Sequence, residues 1–329
     1  MASSDDTSAE DLLIARFFGP AATHPGALGL TDDAAFVTPE PGTDVVLKTD
    51  GIVGGVHFFE DDPADAVARK ALRVNLSDLA SKGAKPLGFM LTLALPKHVG
   101  EEWLTAFARG LRDDADTYQC PLFGGDTVRT PGPVTISVAM LGSVPSGTMV
   151  RRAGALPGDR IFVSGSIGDA ALGLRLRKGA DWKLRDEDGA HLLLRYLLPQ
   201  PRNALAEAVR ACASASMDVS DGLVGDLGKL ARVSGVAATV DAARVPLSEA
   251  AKAALAADPA LLETALTGGD DYEIVCTVPA GKVEKFRSAA KAANVAVAEI
   301  GRIAAGSGTA FLAGDGKAIF FPQGSFSHF

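Results

Sequence analysis

Short apolar segments rich in β-branched residues alternate along the chain with longer segments whose apolar residues recur at helical spacing. In the first half, runs of strand length occupy residues 45–48, 89–95, 120–123 and 134–141. Helical spacing occupies residues 63–82 and 101–117. The pattern predicts that strands and helices alternate throughout this half, as in a layered domain of mixed class.

The second half repeats this alternation after residues 145–158, a segment rich in proline, glycine and small residues. The predicted strands are residues 160–163, 215–219, 237–240, 272–278 and 297–303, and the predicted helices are residues 168–176, 187–197, 203–212 and 221–233. A chain of 329 residues exceeds one ordinary hydrophobic core. The sequence therefore predicts two domains of α/β (α+β) class, residues 1–148 and 149–329.

Composition narrows the classes of partner and compartment. The net charge of −8 and the lack of a Lys/Arg cluster argue against binding to a nucleic acid. The longest uncharged stretch, residues 130–150, is interrupted by prolines and glycines, which argues against a membrane span. Three widely spaced cysteines without a CxxC pattern favour a reducing cytoplasm over a disulfide framework.

Six aspartates follow apolar runs and are predicted to lie in short loops. They are Asp33, Asp50, Asp78, Asp126, Asp218 and Asp221. An unpaired buried charge is costly, so carboxylates in such positions are poor packing residues. If the six converged, they would form a cage for hard divalent cations. Magnesium prefers oxygen ligands and commonly accompanies nucleotide phosphates, so the pattern indicates phosphoryl chemistry.

The common phosphate-binding motifs do not occur: there is no GxxxxGK[ST] and no GxGxxG after a predicted strand. Gly124, Gly125 and Asp126 offer another arrangement, a tight turn that brings backbone N–H groups near a phosphate. Each feature also has a simpler interpretation. A single GGD is commonly an ordinary turn, an aspartate such as Asp221 commonly caps a helix, and a lone histidine such as His57 is commonly a packed or surface residue.

The order of several longer motifs closely resembles thiamine-monophosphate kinase. They are TDDAAF (31–36), KTDGIVGGVHF (48–58), KALRVNLSDLASKGAKP (70–86), FGGDTVR (123–129), GALPGDRIFVSGSIGDAALGL (154–174), MDVSDGLVGDL (217–227), TGGDDYEI (267–274) and the terminal SFSHF. The resemblance implies a two-domain fold like that of aminoimidazole ribonucleotide synthetase, with the N-terminal sheet pairing across a homodimer. It also implies ATP-dependent phosphorylation of thiamine monophosphate with several Mg²⁺ ions, the last step of thiamine diphosphate biosynthesis.

The resemblance also implies roles for individual residues. The positions of metal ligands are Asp33, Lys48, Thr49, Asp50, Asp78, Asp126, Asp218 and Asp221, of which Asp50, Asp126 and Asp218 are the expected catalytic residues. Positions that contact ATP are Gly125, Asp126, Arg152 and Ser220. Positions that hold thiamine monophosphate are His57, Asp270 and Phe326. Three residues depart from the family pattern: Lys48 replaces a serine or threonine, Thr31 a glycine, and Asp270 a glutamate.

Two alternatives stay open at this point. The first is another ATP-using enzyme of the same superfamily, similar to aminoimidazole ribonucleotide synthetase. Selenophosphate synthetase is disfavoured because it needs a reactive cysteine near the N-terminus, and the first cysteine here is Cys120. The second alternative is a module that binds thiamine phosphate or a nucleotide without catalysis, in which Lys48 excludes a metal ion.

Overall fold

The computed structural model describes residues 12–325. Phe326, which the resemblance assigns to substrate binding, lies outside the described residues. The chain divides into two compact units: one contains residues 1–75 and 86–143, and the other contains residues 76–85 and 144–329. The boundary at residue 148 that the sequence suggests stays a prediction.

The first unit is built around a four-stranded sheet. Its strands are β1 (Thr43–Val53), β2 (Lys85–Leu95), β3 (Leu122–Arg129) and β4 (Thr135–Pro145), in the order β1-β4-β2-β3. The two helices that connect them are α1 (Ala64–Ser81) and α2 (Glu101–Thr117). β2 and β3 are parallel neighbours joined through α2, as expected for a crossover connection.

The two faces of this sheet differ in burial. Alternate residues of β4, namely Ile136, Val138 and Met140, are buried, as are the largest apolar side chains of α1 and α2. Side chains of alternate strand residues point to opposite faces. Large apolar residues are nevertheless exposed on the other face, at Val45, Leu47, Met90 and Val128. Exposed apolar surface of this kind commonly marks an interaction site.

The second unit contains a seven-stranded sheet. Its strands are β5 (Arg160–Ser164), β6 (Ala215–Val219), β7 (Ala237–Asp241), β8 (Glu273–Val278), β9 (Val297–Ala304), β10 (Gly308–Leu312) and β11 (Ala318–Ile319), in the order β11-β10-β7-β9-β5-β8-β6. Among the described strand pairings of this seven-stranded sheet, only the β10–β7 pair is parallel. The helices are α3 (Asp169–Arg177), α4 (Asp186–Leu197), α5 (Ala206–Cys212), α6 (Leu223–Ser234), α7 (Glu249–Ala257), α8 (Leu261–Thr267) and α9 (Val283–Ala292).

Helices cover both faces of this sheet, so its central strands are apolar on both sides. On one face, Ile161 and Val163 of β5 pack in a cluster with residues of α6 such as Leu227. On the other face, Phe162 packs in a cluster that includes Phe286 of α9, and their rings meet edge to face with centroids 5.2 Å apart. This continuous burial holds β6 and β8 rigidly, and both strands carry residues of the candidate site.

The predicted fold class is confirmed: the chain has two units of mixed helices and sheets. Asp218 lies within β6 and Asp78 lies in the last turn of α1, where the predicted strand 215–219 and the predicted helix 63–82 place them. The predicted loop positions of Asp50 and Asp126 were wrong, because both residues lie within strands, β1 and β3. Charged residues inside a strand break the apolar pattern, so the prediction ended these two strands too early.

No helix within residues 12–325 is long and apolar enough to cross a membrane. The three cysteines are buried free thiols. Burial raises the pKa of Cys120 to about 12, and it raises the pKa of Cys276 as well. Thiols of this kind are packing residues that react poorly, because the thiolate is the reactive form.

Candidate active site

A pocket of about 200 Å³ in the first unit brings together two of the predicted aspartates. Its wall is formed by the segment that precedes β1 and by parts of β2 and β3. Asp33 and Asp126 both line the pocket, together with Gly124 and Gly125. Both carboxylates are exposed. The pocket is therefore accessible and negatively charged, and part of its lining is the glycine backbone of β3.

Gly125 is required by the sheet rather than by a turn. The residue pairs with Leu91 of the parallel neighbour β2, and a Cβ added to Gly125 would lie 1.8 Å from the carbonyl oxygen of Leu91. The predicted tight turn at Gly124–Gly125 was therefore wrong, since β3 continues through both glycines. The close approach still leaves the backbone at Gly125 exposed beside Asp126.

The predicted ligands on β1 do not point the same way. Burial alternates along the strand, so that Lys48 and Asp50 share a face while Thr49 is exposed on the opposite one. Lys48 Nζ lies 3.0 Å from Asp50 Oδ1 in a half-buried ion pair. A protonated lysine is only a donor, so at this position the chain carries a cation and not the neutral hydroxyl that the resemblance implies.

His57 lies in the turn that follows β1 and accepts two hydrogen bonds, one at its ring and one at its carbonyl oxygen. The backbone N–H of Val53 donates to His57 Nδ1 at 3.0 Å, and Lys70 Nζ donates to the His57 carbonyl oxygen at 3.1 Å. Because Nδ1 acts as an acceptor, the neutral ring carries its proton on Nε2. His57 is thus a positioned Nε2–H donor.

The second unit contains the most constrained carboxylate of the predicted set. Asp218, on β6, is buried, and its Oδ2 has no hydrogen-bond partner among the described residues. Burial and the nearby carboxylates, Asp78 first, raise the pKa of Asp218, while Lys82 and Ser77 oppose this shift. A buried carboxylate oxygen without a donor is energetically unfavourable. A bound cation would satisfy it.

The loop after β6 is fixed by a second buried aspartate that the sequence analysis missed. Asp226 Oδ2 accepts the backbone N–H groups of Ser220 at 3.0 Å and Asp221 at 2.9 Å. Lys229 Nζ donates to Asp226 Oδ1 at 2.9 Å and also to Asp221 Oδ2. Ser220 and Asp221 therefore sit in a preorganised turn, with the Asp221 carboxylate already beside a cation.

The Gly268–Tyr272 segment is fastened to this same loop. The backbone N–H of Asp270 donates to the Ser220 carbonyl oxygen at 2.9 Å. A Cβ on Gly269 would lie 2.5 Å from that oxygen, so glycine is needed for the close approach. Asp270 itself has a positive φ of 72°. The structure thus brings Ser220, Asp221 and Asp270 together in one pair of loops at the end of β6, the strand that carries Asp218.

The other acidic residues of TGGDDYE are structural, which their spacing in the sequence did not reveal. Asp271 is buried, accepts the backbone N–H of Gly168 at 2.8 Å, and has a pKa raised by burial. Glu273 is fully buried and accepts from Ser164 at 2.7 Å, Arg195 at 3.0 Å and Arg202 at 2.6 Å.

Arg152 is an exposed residue whose carbonyl oxygen accepts from Ser234 at 3.4 Å. Within residues 12–325, no three His, Cys, Asp or Glu side chains lie together in a way that could hold a metal ion. The pairing of Asp33 with Asp126, and of Asp78 with Asp218, is what the structure provides. Convergence of all six carboxylates stays a prediction.

Comparison with known proteins agrees with this arrangement of motifs. Residues 31–144 match the N-terminal domain of AIR synthase related protein, and residues 157–313 match the C-terminal domain. A thiamine-monophosphate kinase of Caulobacter vibrioides is 46% identical over 287 residues, 86% of this chain and 80% of the relative.

Two solved structures are similar over almost the whole chain. Thiamine-monophosphate kinase from Stenotrophomonas maltophilia K279a has 39% identity and a TM-score of 0.82, with 94% of this chain and 98% of that chain covered. AaThiL complexed with AMPPCP and TMP has 29% identity and a TM-score of 0.77, with 100% and 99% covered. The chain therefore belongs to the thiamine-monophosphate kinase family, among the AIR synthase related proteins.

Proposed function

We propose that this protein transfers the γ-phosphoryl group of ATP to thiamine monophosphate, giving ADP and thiamine diphosphate. The observation that carries the proposal is the 46% identity to a thiamine-monophosphate kinase over 86% of the chain. AaThiL, solved with AMPPCP and TMP, aligns with the full length of this chain, and those ligands correspond to the two substrates of the reaction.

The transfer is a direct displacement at the γ-phosphorus. A phosphate oxygen of thiamine monophosphate forms the new P–O bond, the bond between the γ-phosphorus and the β,γ-bridging oxygen breaks, and ADP leaves. The attacking oxygen is already anionic near neutral pH, so the reaction needs no strong general base. The main task of the protein is to align two anionic groups and to offset their repulsion.

Gly125, Asp126, Arg152 and Ser220 are the residues proposed to contact ATP. The exposed backbone of Gly125 permits a phosphate to approach the strand closely, because a side chain is sterically forbidden there. Ser220 lies in the turn that Asp226 holds through its backbone N–H groups. Arg152 supplies an exposed guanidinium, which suits a phosphate oxygen.

His57, Asp270 and Phe326 are the residues proposed to hold thiamine monophosphate. His57 offers an Nε2–H donor for a phosphate oxygen, since its Nδ1 is engaged by the backbone. Ser325, the neighbour of Phe326, lines a cavity of about 540 Å³ with α6 and the start of β10. The aromatic rings of thiamine fit a site of this size.

Several divalent cations, Mg²⁺ in the first instance, are proposed to be bound. Asp33, Thr49, Asp50, Asp78, Asp126, Asp218 and Asp221 would hold them, and Asp50, Asp126 and Asp218 are the proposed catalytic residues. The unpartnered Oδ2 of Asp218 beside Asp78 fits a cation ligand. When bound, such ions neutralise phosphate charge. The chain itself holds the three proposed catalytic carboxylates on strands β1, β3 and β6 before substrate arrives.

A homodimer is also proposed, supported by the exposed apolar face of the first sheet at Val45, Leu47, Met90 and Val128. Asp50 and Asp126 lie on β1 and β3, the two opposite edges of that sheet. Three strand spacings of about 4.8 Å separate these edges by about 14 Å. One ion cannot bridge both carboxylates of one chain, so a metal site that uses both would take them from different copies.

A cytoplasmic location is proposed as well. Cys120, Cys212 and Cys276 are buried free thiols without a disulfide among the described residues. Free thiols of this kind are typical of proteins from reducing compartments.

The proposed reaction is tested by incubating the purified chain with ATP, Mg²⁺ and thiamine monophosphate and separating the products by chromatography. The expected result is that thiamine diphosphate forms, and that it does not form when EDTA is present. ATP binding by calorimetry without any product would favour another superfamily substrate or a binding module. Formation of product without a divalent cation would contradict the proposed role of the carboxylates.

A further inference from the structure

Lys48 and Asp50 form a charged pair on the face of β1 that also carries the buried Val46 and Ile52 and, at its start, the exposed Asp44. The two residues are separated by one position, so their side chains project from the same face of the strand. Val46 and Ile52, the flanking residues on that face, are buried. Lys48 Nζ lies 3.0 Å from Asp50 Oδ1. The pair is therefore embedded at the margin of the core and is not a contact between two mobile surface side chains.

This position restricts how Asp50 can bind a cation. Only 29% of the Lys48 side chain and 38% of the Asp50 side chain are exposed, so water screens the two charges less than at a free surface. A divalent ion bound at Oδ1 of Asp50 would have to displace the ammonium or lie beside it. Repulsion between an ammonium and a divalent ion at this range opposes the second arrangement. The residues around Asp50 therefore do not fit a fully occupied metal site.

We propose that Lys48 serves as a tethered cation at Asp50, in place of one divalent ion, so that each chain binds one ion fewer than a chain with a neutral residue there. This inference rests on the proposed phosphoryl transfer. The ammonium supplies a single positive charge that is always present, while the remaining carboxylates keep their own ions. Lys48 acts as a positioning residue that sets the metal requirement of the enzyme.

Counting bound Mn²⁺ by electron paramagnetic resonance tests the inference without relying on turnover. The full-length protein is titrated with Mn²⁺ in the presence of AMPPCP, and free Mn²⁺ is measured against a protein-free titration with the same AMPPCP. The variants are Lys48→Thr and Lys48→Met, which remove the charge with and without adding a hydroxyl. Lys48→Arg keeps the charge. Lys97→Thr removes an exposed lysine of the same unit and serves as the matched control.

The expected result is one additional Mn²⁺ per chain in Lys48→Thr and in Lys48→Met, with Lys48→Arg and Lys97→Thr equal to the original protein. Equal stoichiometry in all five proteins would overturn the inference, and so would an additional ion in Lys97→Thr. Circular dichroism of each variant establishes that it is folded. If the neutral variants do not fold, Lys48→Arg still tests the inference, because it should bind the same number of Mn²⁺ ions as the original protein. Formation of thiamine diphosphate is assayed separately. If the original protein forms thiamine diphosphate but the neutral variants bind no additional Mn²⁺, this inference alone is refuted. If the original protein forms no thiamine diphosphate, the proposed function is refuted.

Discussion

Asp218→Asn is expected to make the metal-free protein more stable while abolishing its activity. Asp218 is 4% exposed, its Oδ2 lacks a hydrogen-bond partner among the described residues, and the Asp78 carboxylate is close enough to raise its pKa. An unsatisfied buried polar group costs about 1–3 kcal/mol. Asparagine removes the charge but retains polar atoms, so we expect a gain of about 1–2 kcal/mol in the free energy of unfolding.

Thermal unfolding in EDTA at one fixed pH measures this gain. For a unit of this size, each kcal/mol changes the midpoint by about 2–4 °C, so the variant should melt about 2–8 °C higher. Added Mg²⁺ with AMPPCP should stabilise the original protein more than the variant, because only the original protein offers the ionised ligand. A lower melting temperature for the variant in EDTA would refute the reasoning, since it would mean that the carboxylate is satisfied without a cation.

Three further changes test other parts of the structure. Asp126→Ala should lower kcat about 100- to 1000-fold, the usual range for one electrostatic group, as measured by steady-state kinetics. It should change the free energy of unfolding in urea by less than about 0.5 kcal/mol, because the residue is exposed. Glu273→Gln should destabilise the protein by about 3 kcal/mol in urea, because two arginines lose their buried counter-charge. Heterodimers of one Asp50→Ala chain and one Asp126→Ala chain, isolated through two affinity tags, should recover about half of the original activity. If each site takes its two carboxylates from different chains, one of the two sites in such a heterodimer keeps both.

Each of these changes has an outcome that contradicts it. Parallel losses of activity and stability in Asp126→Ala would assign the residue a structural role. Unchanged urea unfolding of Glu273→Gln would show that the buried ion pairs contribute little. Heterodimers no more active than either parent would place Asp50 and Asp126 of a single chain in the same site.

Much of the secondary structure could be predicted from the sequence. Hydrophobic spacing predicted Glu101–Thr117 and Ala215–Val219 with the bounds that the structure shows, because both elements are long or apolar enough for packing to follow the pattern. Gly124–Gly125 misled the prediction, since glycines between an apolar run and an aspartate are typical of a turn. In the structure, the closeness of Leu91 on the neighbouring strand requires glycine within the strand.

The supports of the candidate site could not be predicted in the same way. Glu273 is held by Arg202, 71 residues away in sequence, and no local pattern reveals a partner at that distance. The role of Asp226 could not be predicted for another reason. In the sequence it is an ordinary carboxylate of the predicted helix, but in the structure its side chain accepts hydrogen bonds from the backbone of the preceding loop. Motif resemblance supplied the residues proposed to contact the substrates, whereas the residues that hold their loops and strands emerged only from tertiary contacts.

The central claim is that this chain moves the terminal phosphoryl group of ATP directly onto thiamine monophosphate. Single-turnover incubation with ATP labelled by ³²P at the γ-phosphorus tests it most directly. We expect the label to appear in the terminal phosphate of thiamine diphosphate at the rate at which labelled ATP disappears, with none on the protein. Label that is released only as inorganic phosphate, or that first accumulates on the protein, would contradict direct transfer.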